Sequence, residues 1–208
     1  MEVVPIPFHY HLVVADISIS TFILAGGRSS RMGADKALLR LGGGQTLLER
    51  ALQTVSNIGA DSHIVGSRER YGHLGPVVED IYPGCGPLAG IHAALTATLT
   101  DLNLILSVDM PLMRAEFLRW LTDRAQASRE WIIVPNAAGG MQPLCAIYRR
   151  EVRVTAEAAL QAGDYKVGHL FERVPTCIVG EAEIVAAGFS PEIFRNINTP
   201  EEYAQCRP

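Results

Sequence analysis

The chain has 208 residues, enough for one well-buried domain and short for two. Nearly half of these are apolar and the net charge is −4, so no basic surplus exists to neutralise a nucleic-acid backbone, which excludes a general nucleic-acid binder. No apolar run approaches the length of a membrane span, and Cys85, Cys145, Cys177 and Cys206 form no C-x-x-C pair, which favours free thiols in a reducing cytosol over zinc or redox chemistry.

Met1 to Ser18 lacks a basic n-region and a clean apolar core, so it reads as an N-terminal extension and not as a signal peptide. His9 and His11 flank Tyr10 there; metal binding is conceivable from the pattern, but an extension ahead of a domain over 19–208 is the simpler reading. Ile19 to Ile23 is an apolar run that breaks into glycines, the pattern of a buried strand ending in a loop. That loop runs Leu24-Ala25-Gly26-Gly27-Arg28-Ser29-Ser30-Arg31-Met32-Gly33-Ala34-Asp35-Lys36. Its three glycines let backbone N–H groups approach a bound polyanion with no Cβ in the way. Arg28, Arg31 and Lys36 bring three positive charges against one carboxylate, Asp35. Lys36 and Lys166 are the only lysines of the chain, which points to a compact ammonium being wanted at the loop's end. The pattern describes a phosphate cradle, and a nucleotide is its natural ligand; the competing reading is a solvated Gly/Ser loop. Neither G-x-x-x-x-G-K-[ST] nor G-x-G-x-x-G is present, so this is neither a P-loop nor a dinucleotide fingerprint.

Beyond the loop, Gly42-Gly43-Gly44 reads as a tight turn, and Thr46-Leu47-Leu48-Glu49 is a capping box that opens a helix ending at Gly59. Short strands follow at Ser62 to Gly66 and Val77 to Glu79, then a small-residue helix from Leu88 to Leu99 with Pro87 in its first turn. Leu102 to Val108, bounded by Asp101 and Asp109, is a continuous apolar run and the best candidate for a central parallel strand. A helix is expected over Ala115 to Ala127, strands over Trp131 to Val134 and Pro143 to Tyr148, and a helix over Glu151 to Gln161. Val167 to Phe171 reads as a short helix, Cys177 to Val179 as a strand and Ile193 to Asn196 as extended chain. Thr199-Pro200-Glu201-Glu202 would cap and open a final helix. Alternating strands and helices predict an α/β fold: a single-domain three-layer α/β/α sandwich on a mostly parallel, Rossmann-like sheet. Ligands of such sheets bind beyond the carboxyl ends of the strands, where the glycine loop, Asp80 and Asp109 all fall.

Leu-Ala-Gly-Gly-x-Ser-x-Arg-Met-Gly-x-Asp-Lys resembles the signature of the molybdenum cofactor guanylyltransferases, small nucleotidyltransferases related to the nucleotide-sugar transferases. Asp109-Met110-Pro111, Asn196-Ile197-Asn198-Thr199-Pro200-Glu201-Glu202, and Asp80 with Gly84-Cys85-Gly86-Pro87-Leu88-Ala89-Gly90 also resemble segments of that family, so the resemblance extends from Thr21 to Cys206. It implies transfer of GMP from GTP to the terminal phosphate of molybdopterin, with pyrophosphate released and Mg²⁺ as cofactor. It further implies nucleotide contacts from Leu24, Ala25, Gly26, Gly27, Lys36, Asp80 and Asp109, a metal held by Asp109 and Asn198, and transition-state charge offset by Arg31 and Lys36. Arg149, Lys166 and Asn196 are candidates for the acceptor side, with solvated surface charge or turn formation as their alternatives. His92 and His169 have no partner pattern and read as packing or surface histidines. Val65-Gly66-Ser67-Arg68 departs from the Asn-x-Asn that family members often carry after the second strand, which leaves ribose and base contacts open. The chain is expected to be cytoplasmic and monomeric or weakly homo-oligomeric, with molybdoenzymes or other cofactor-synthesis proteins as partners. Transfer of CTP or another nucleotide to a pterin, sugar or polyol phosphate, or nucleotide binding without catalysis, are the alternatives.

Overall fold

A computed structural model describes residues 19–26, 35–41, 44–59 and 61–197. The N-terminal extension, Gly27, Arg28, Arg31, Asn198 and the expected final helix lie outside the described residues. Among the described residues eight strands form one sheet: β1 (Ile19–Leu24), β2 (Asp61–Val65), β3 (Val77–Val78), β4 (Leu102–Ser107), β5 (Ile132–Ala137), β6 (Gly140–Met141), β7 (Cys145–Arg149) and β8 (Thr176–Gly180). They lie in the order β3-β2-β1-β4-β7-β5-β6, with β8 paired to β5. The helices are α1 (Leu47–Ser56), α2 (Arg68–Tyr71), α3 (Pro87–Ala97), α4 (Ala115–Ala127), α5 (Val152–Gln161) and α6 (Glu181–Ala186).

Alternation along the strands splits the core between the two faces of the sheet. Ile23, Leu104 and Leu106 pack with Leu48 and Val55 of α1 and with Phe117 and Leu121 of α4. Phe22, Ile105 and Tyr148 pack on the other face with Ile91 and Leu95 of α3 and Ala156 and Leu160 of α5. Each fully buried large side chain contributes about 1.5–3 kcal/mol, so the two apolar layers hold the three-layer sandwich together. The expected capping box forms: the Thr46 side chain accepts from Glu49 N, and the Glu49 carboxylate accepts from Thr46 N. Among the described residues no helix is long and apolar enough to cross a membrane.

Two local expectations are corrected. The strand expected over Pro143 to Tyr148 is β7, which begins at Cys145 and runs antiparallel between β4 and β5. The chain leaves β5 through the two-residue turn Ala138-Gly139 into β6, and a connection that short returns the chain antiparallel because a parallel neighbour needs a long crossover. Ile193 to Asn196 is not extended throughout, since Pro191–Phe194 forms a 3₁₀ turn capped by the Ser190 side chain, which accepts from Glu192 N. The first correction matters for the site. β7 carries its last residue, Arg149, to the edge where β4 begins, opposite the edge where β1 and β4 end.

Candidate active site

β1 and β4 are parallel neighbours, so their carboxyl ends deliver Ala25-Gly26 and Val108-Asp109 to one edge of the sheet. The chain that follows β1 re-enters as a 3₁₀ turn, Lys36–Leu38, capped by the Asp35 carboxylate, which accepts from Ala37 N at 3.1 Å. From that turn the Lys36 ammonium reaches across to Asp109, with Nζ 2.8 Å from Oδ2 and both side chains about four-fifths buried. The loop's lysine and the carboxylate beyond the central strand thus meet, although 73 residues separate them. The backbone carbonyl of Asp109 accepts from Ile197 N at 2.9 Å. This bond docks the segment carrying Asn196 beside Asp109.

Next to the pair lies a cavity of about 700 Å³, lined by Leu24, Gly26, Asp80, Gly84, Gly86 and Ser107 among others. Its floor is the end of β1, and its wall is the start of α3. Gly90 makes that wall possible: a Cβ there would stand 3.2 Å from Leu24 Cδ2 and 3.5 Å from Val65 Cγ1. Gly84 and Gly86 have φ of +83° and +73°, values that favour glycine, and they turn the chain into the first turn of α3. Gly86 caps α3 without a side chain, so the positive dipole end of the helix borders the cavity. Asp80 sits at the mouth, where partial burial raises its carboxyl pKa above the ordinary value.

A second, more polar cavity of about 670 Å³ lies on the other side of the Asp109 segment, lined by Gln142, Glu181, Glu192, Arg195 and Asn196 among others. The Asn196 Oδ1 is buried there with no hydrogen-bond partner among the described residues. Polar atoms buried in this way are the exception in folded proteins and point to a donor supplied from outside.

Of the residues singled out from the sequence, Leu24, Gly26 and Asp80 share the first cavity, Lys36 and Asp109 form the ion pair, and Asn196 lines the second cavity. Gly26 differs from expectation in one respect. Its N–H donates to Val65 O at 3.2 Å, beside the Ala25 N–H on the same oxygen at 3.0 Å, so it is committed to the β1–β2 junction and not to a phosphate. The Leu24 carbonyl is engaged too, accepting from Val108 N at 3.2 Å, and the Ala25 carbonyl lies 3.3 Å from the Tyr71 hydroxyl. Lys166 lies in the turn after α5 and lines neither cavity.

Arg149 is not part of the site. At the far edge of the sheet it bonds Asp101 Oδ2, Glu130 O at 3.1 Å and Ser128 O at 2.8 Å. The acceptor-side expectation for it fails because the antiparallel β7 ends at the wrong edge. His169 does have a partner: its Nδ1 lies 2.8 Å from Asp164, which Arg173 also binds. His92 packs in α3 edge-on to Tyr82, and burial lowers its pKa. Gly84 and Gly86, from the segment read beside Asp80, line the first cavity, whereas the sequence reading missed Ser107 and Tyr71, which carry no local signal.

Comparison with known proteins identifies the family to which the chain belongs. Residues 21–177 match the MobA-like NTP transferase domain. A protein of Carboxydothermus hydrogenoformans named probable molybdenum cofactor guanylyltransferase is 32% identical over 187 residues, 89% of this chain and 93% of its own. Among solved structures, molybdopterin-guanine dinucleotide biosynthesis protein A from Archaeoglobus fulgidus superposes with a TM-score of 0.80 at 24% identity, covering 90% of this chain and 96% of that one. A Mycobacterium tuberculosis protein crystallised with manganese shares the fold at a TM-score of 0.57 and 20% identity, covering 78% of this chain and 87% of its own. The chain is a nucleotidyltransferase and belongs to the MobA-like NTP transferases, alongside the molybdenum cofactor guanylyltransferases.

Proposed function

We propose that this chain transfers GMP from GTP to the terminal phosphate of molybdopterin, releasing pyrophosphate. The observation that carries the reading is the Lys36–Asp109 pair, set at 2.8 Å beside a cavity with a carboxylate at its mouth. The cavity would take the guanosine. Guanine offers N1–H and its exocyclic amine on one edge, a paired donor set that the Asp80 carboxylate would accept and that adenine lacks. The triphosphate would then run along the start of α3 toward Lys36, with Gly27 and Arg31 of the glycine loop as further contacts.

In the transfer, an oxygen of the pterin phosphate bonds to the α-phosphorus of GTP while the bond from that phosphorus to the α–β bridging oxygen breaks. The electron pair leaves with pyrophosphate. The nucleophile is already ionised at neutral pH, so no general base is needed, and the protein's task is positioning and charge neutralisation. Lys36 would donate to the phosphate oxygens on which charge grows. Asn196, whose buried Oδ1 borders the second cavity, would accept a hydrogen bond from the pterin.

The donor set also fits a hard divalent cation. Among the described residues no three His, Cys, Asp or Glu side chains converge, so the cation would take Asp109, Asn198, substrate oxygens and water, the sparse protein ligation that Mg²⁺ accepts. When bound it would screen the charge of the triphosphate and of the leaving pyrophosphate.

The test is pyrophosphate release by the full chain with molybdopterin and each of the four ribonucleoside triphosphates, with and without Mg²⁺. Release with GTP and the pterin alone supports the reading. Release with CTP would reassign the base, and none with any acceptor would leave a nucleotide-binding protein without catalysis.

A further inference from the structure

We propose that Tyr71 is a positioning residue that closes the base of the glycine loop and, through Asp35, sets where the Lys36 ammonium stands; this rests on Lys36 acting on the bound triphosphate. Tyr71 is the last residue of α2 and is buried. Its hydroxyl lies 2.9 and 3.0 Å from the two carboxylate oxygens of Asp35 and 3.3 Å from the carbonyl of Ala25. Ala25 stands where the chain enters the loop and Asp35 where it leaves, so a single hydroxyl touches both stems. Its one proton goes to the carboxylate, the closer and charged acceptor.

The contact is transmitted over one residue. The Asp35 carboxylate that accepts from Tyr71 also accepts from Ala37 N and so caps the turn whose first residue is Lys36. Rotation of that carboxylate would unseat the turn and carry the ammonium off Asp109. The ion pair from Arg70 to Asp35, at 3.3 Å with the arginine well exposed, is too solvated to do this alone. The ring of Tyr71 is itself fixed: a Cβ on Gly66 would stand 2.8 Å from Cε2, so only glycine admits it, and Gly66 N is tied to Val78 O at 3.0 Å. Burial and the neighbouring Asp35 push the hydroxyl pKa up, which keeps it a donor throughout the working range.

Tyr71→Phe retains the ring against Gly66 and removes only the hydroxyl. With GTP and molybdopterin, kcat of the full chain is expected to fall about tenfold, the effect of losing one hydrogen bond to a charged group, while the KM for GTP moves less than about threefold. In the Lys36→Ala background the same substitution is expected to cost nothing further, because the group it positions is gone. Asp35→Asn, which keeps an oxygen for the hydroxyl, is expected to retain more activity than Asp35→Ala. A Tyr71→Phe loss that persists undiminished without Lys36, or no loss at all, overturns the proposal. If the wild-type chain releases no pyrophosphate, guanylyl transfer fails separately. The cycle is then read from GTP affinity by calorimetry, where coupling between Tyr71 and Lys36 supports the staple and additive losses overturn it.

Discussion

Lys36 and Asp109 face each other at 2.8 Å because each follows a strand that ends on the same edge of the sheet. The pair joins the only lysine near the glycine loop to the carboxylate beyond the most buried strand of the fold. Neither partner is free to wander, since Asp35 holds the turn on one side and Ile197 holds the Asp109 backbone on the other.

Asp109→Ala and Lys36→Ala are each expected to lower kcat by at least about a hundredfold, the typical worth of one preorganised electrostatic group. Circular dichroism of both variants should keep the wild-type profile, because the sheet on either side is intact. The double variant is expected to be much less impaired than the product of the two losses, since the groups act together. Near-wild-type turnover for Asp109→Ala would remove the metal and phosphate assignments of this residue.

The carboxyl of Asp80 has a pKa raised by partial burial at the cavity mouth. A guanine contact needs its ionised form, so GTP affinity is expected to weaken as pH falls through that raised value, at a higher pH than an ordinary aspartate would impose. For folding the sign is the reverse of the usual carboxylate case. A folded value above the unfolded one disfavours the native state once the group must ionise, so Asp80→Asn is expected to be neutral or mildly stabilising near pH 7. Titration of GTP affinity from pH 7 downward, in wild type and in Asp80→Asn, checks both: the variant should bind weakly and without the pH step.

Arg149→Ala is expected to leave kcat and both KM values within about twofold of wild type while lowering stability by about 1–3 kcal/mol. The loss comes from its hydrogen bonds to the Glu130 and Ser128 carbonyls, with the half-exposed Asp101 adding little. Denaturant unfolding alongside steady-state kinetics separates the two effects. A selective rise in the KM for the pterin would return Arg149 to the acceptor side.

How far the sequence was readable follows from how local each signal is. The strand-to-glycine break after Ile23, the apolar run ending at Asp109 and the Thr46–Glu49 capping box are carried by consecutive residues, and each stands where its pattern predicts. The meeting of Lys36 with Asp109 was legible one step further, because parallel strands put their ends on one edge. The reversal at Ala138-Gly139 was not, since the turn lacks the Asn-Gly or Asp-Gly that announces a tight hairpin, and with it went the placement of Arg149. Tyr71 and Asp35 are 36 residues apart and join only when β1 and β2 pair, so no spacing reports them. The partnership of His169, Asp164 and Arg173 is hidden in the same way by an irregular stretch.

Ala138 has φ of +53°, the one non-glycine residue among those described that adopts the left-handed region. It shares the tight turn between β5 and β6 with Gly139 at φ +87°, and its N–H donates to Glu181 Oε2 at 2.7 Å. The conformation costs a residue with a Cβ about 1 kcal/mol, which glycine does not incur. That cost is offset in part by the Glu181 contact, which ties the turn to the first residue of α6. Ala138→Gly is therefore expected to stabilise the fold by up to about 1 kcal/mol, less whatever the freer unfolded glycine gives back. Glu181→Ala is expected to destabilise it by about 1 kcal/mol through the lost acceptor. In the double variant Ala138 no longer forces the turn, but its replacement still lacks the carboxylate, so the two effects should add to near zero. Because both residues border the second cavity, thermal unfolding should be measured beside the KM for the pterin. A stability change with constant KM fits a purely supporting role for this turn, and a KM that rises with Glu181→Ala alone would bring the carboxylate into contact with the acceptor.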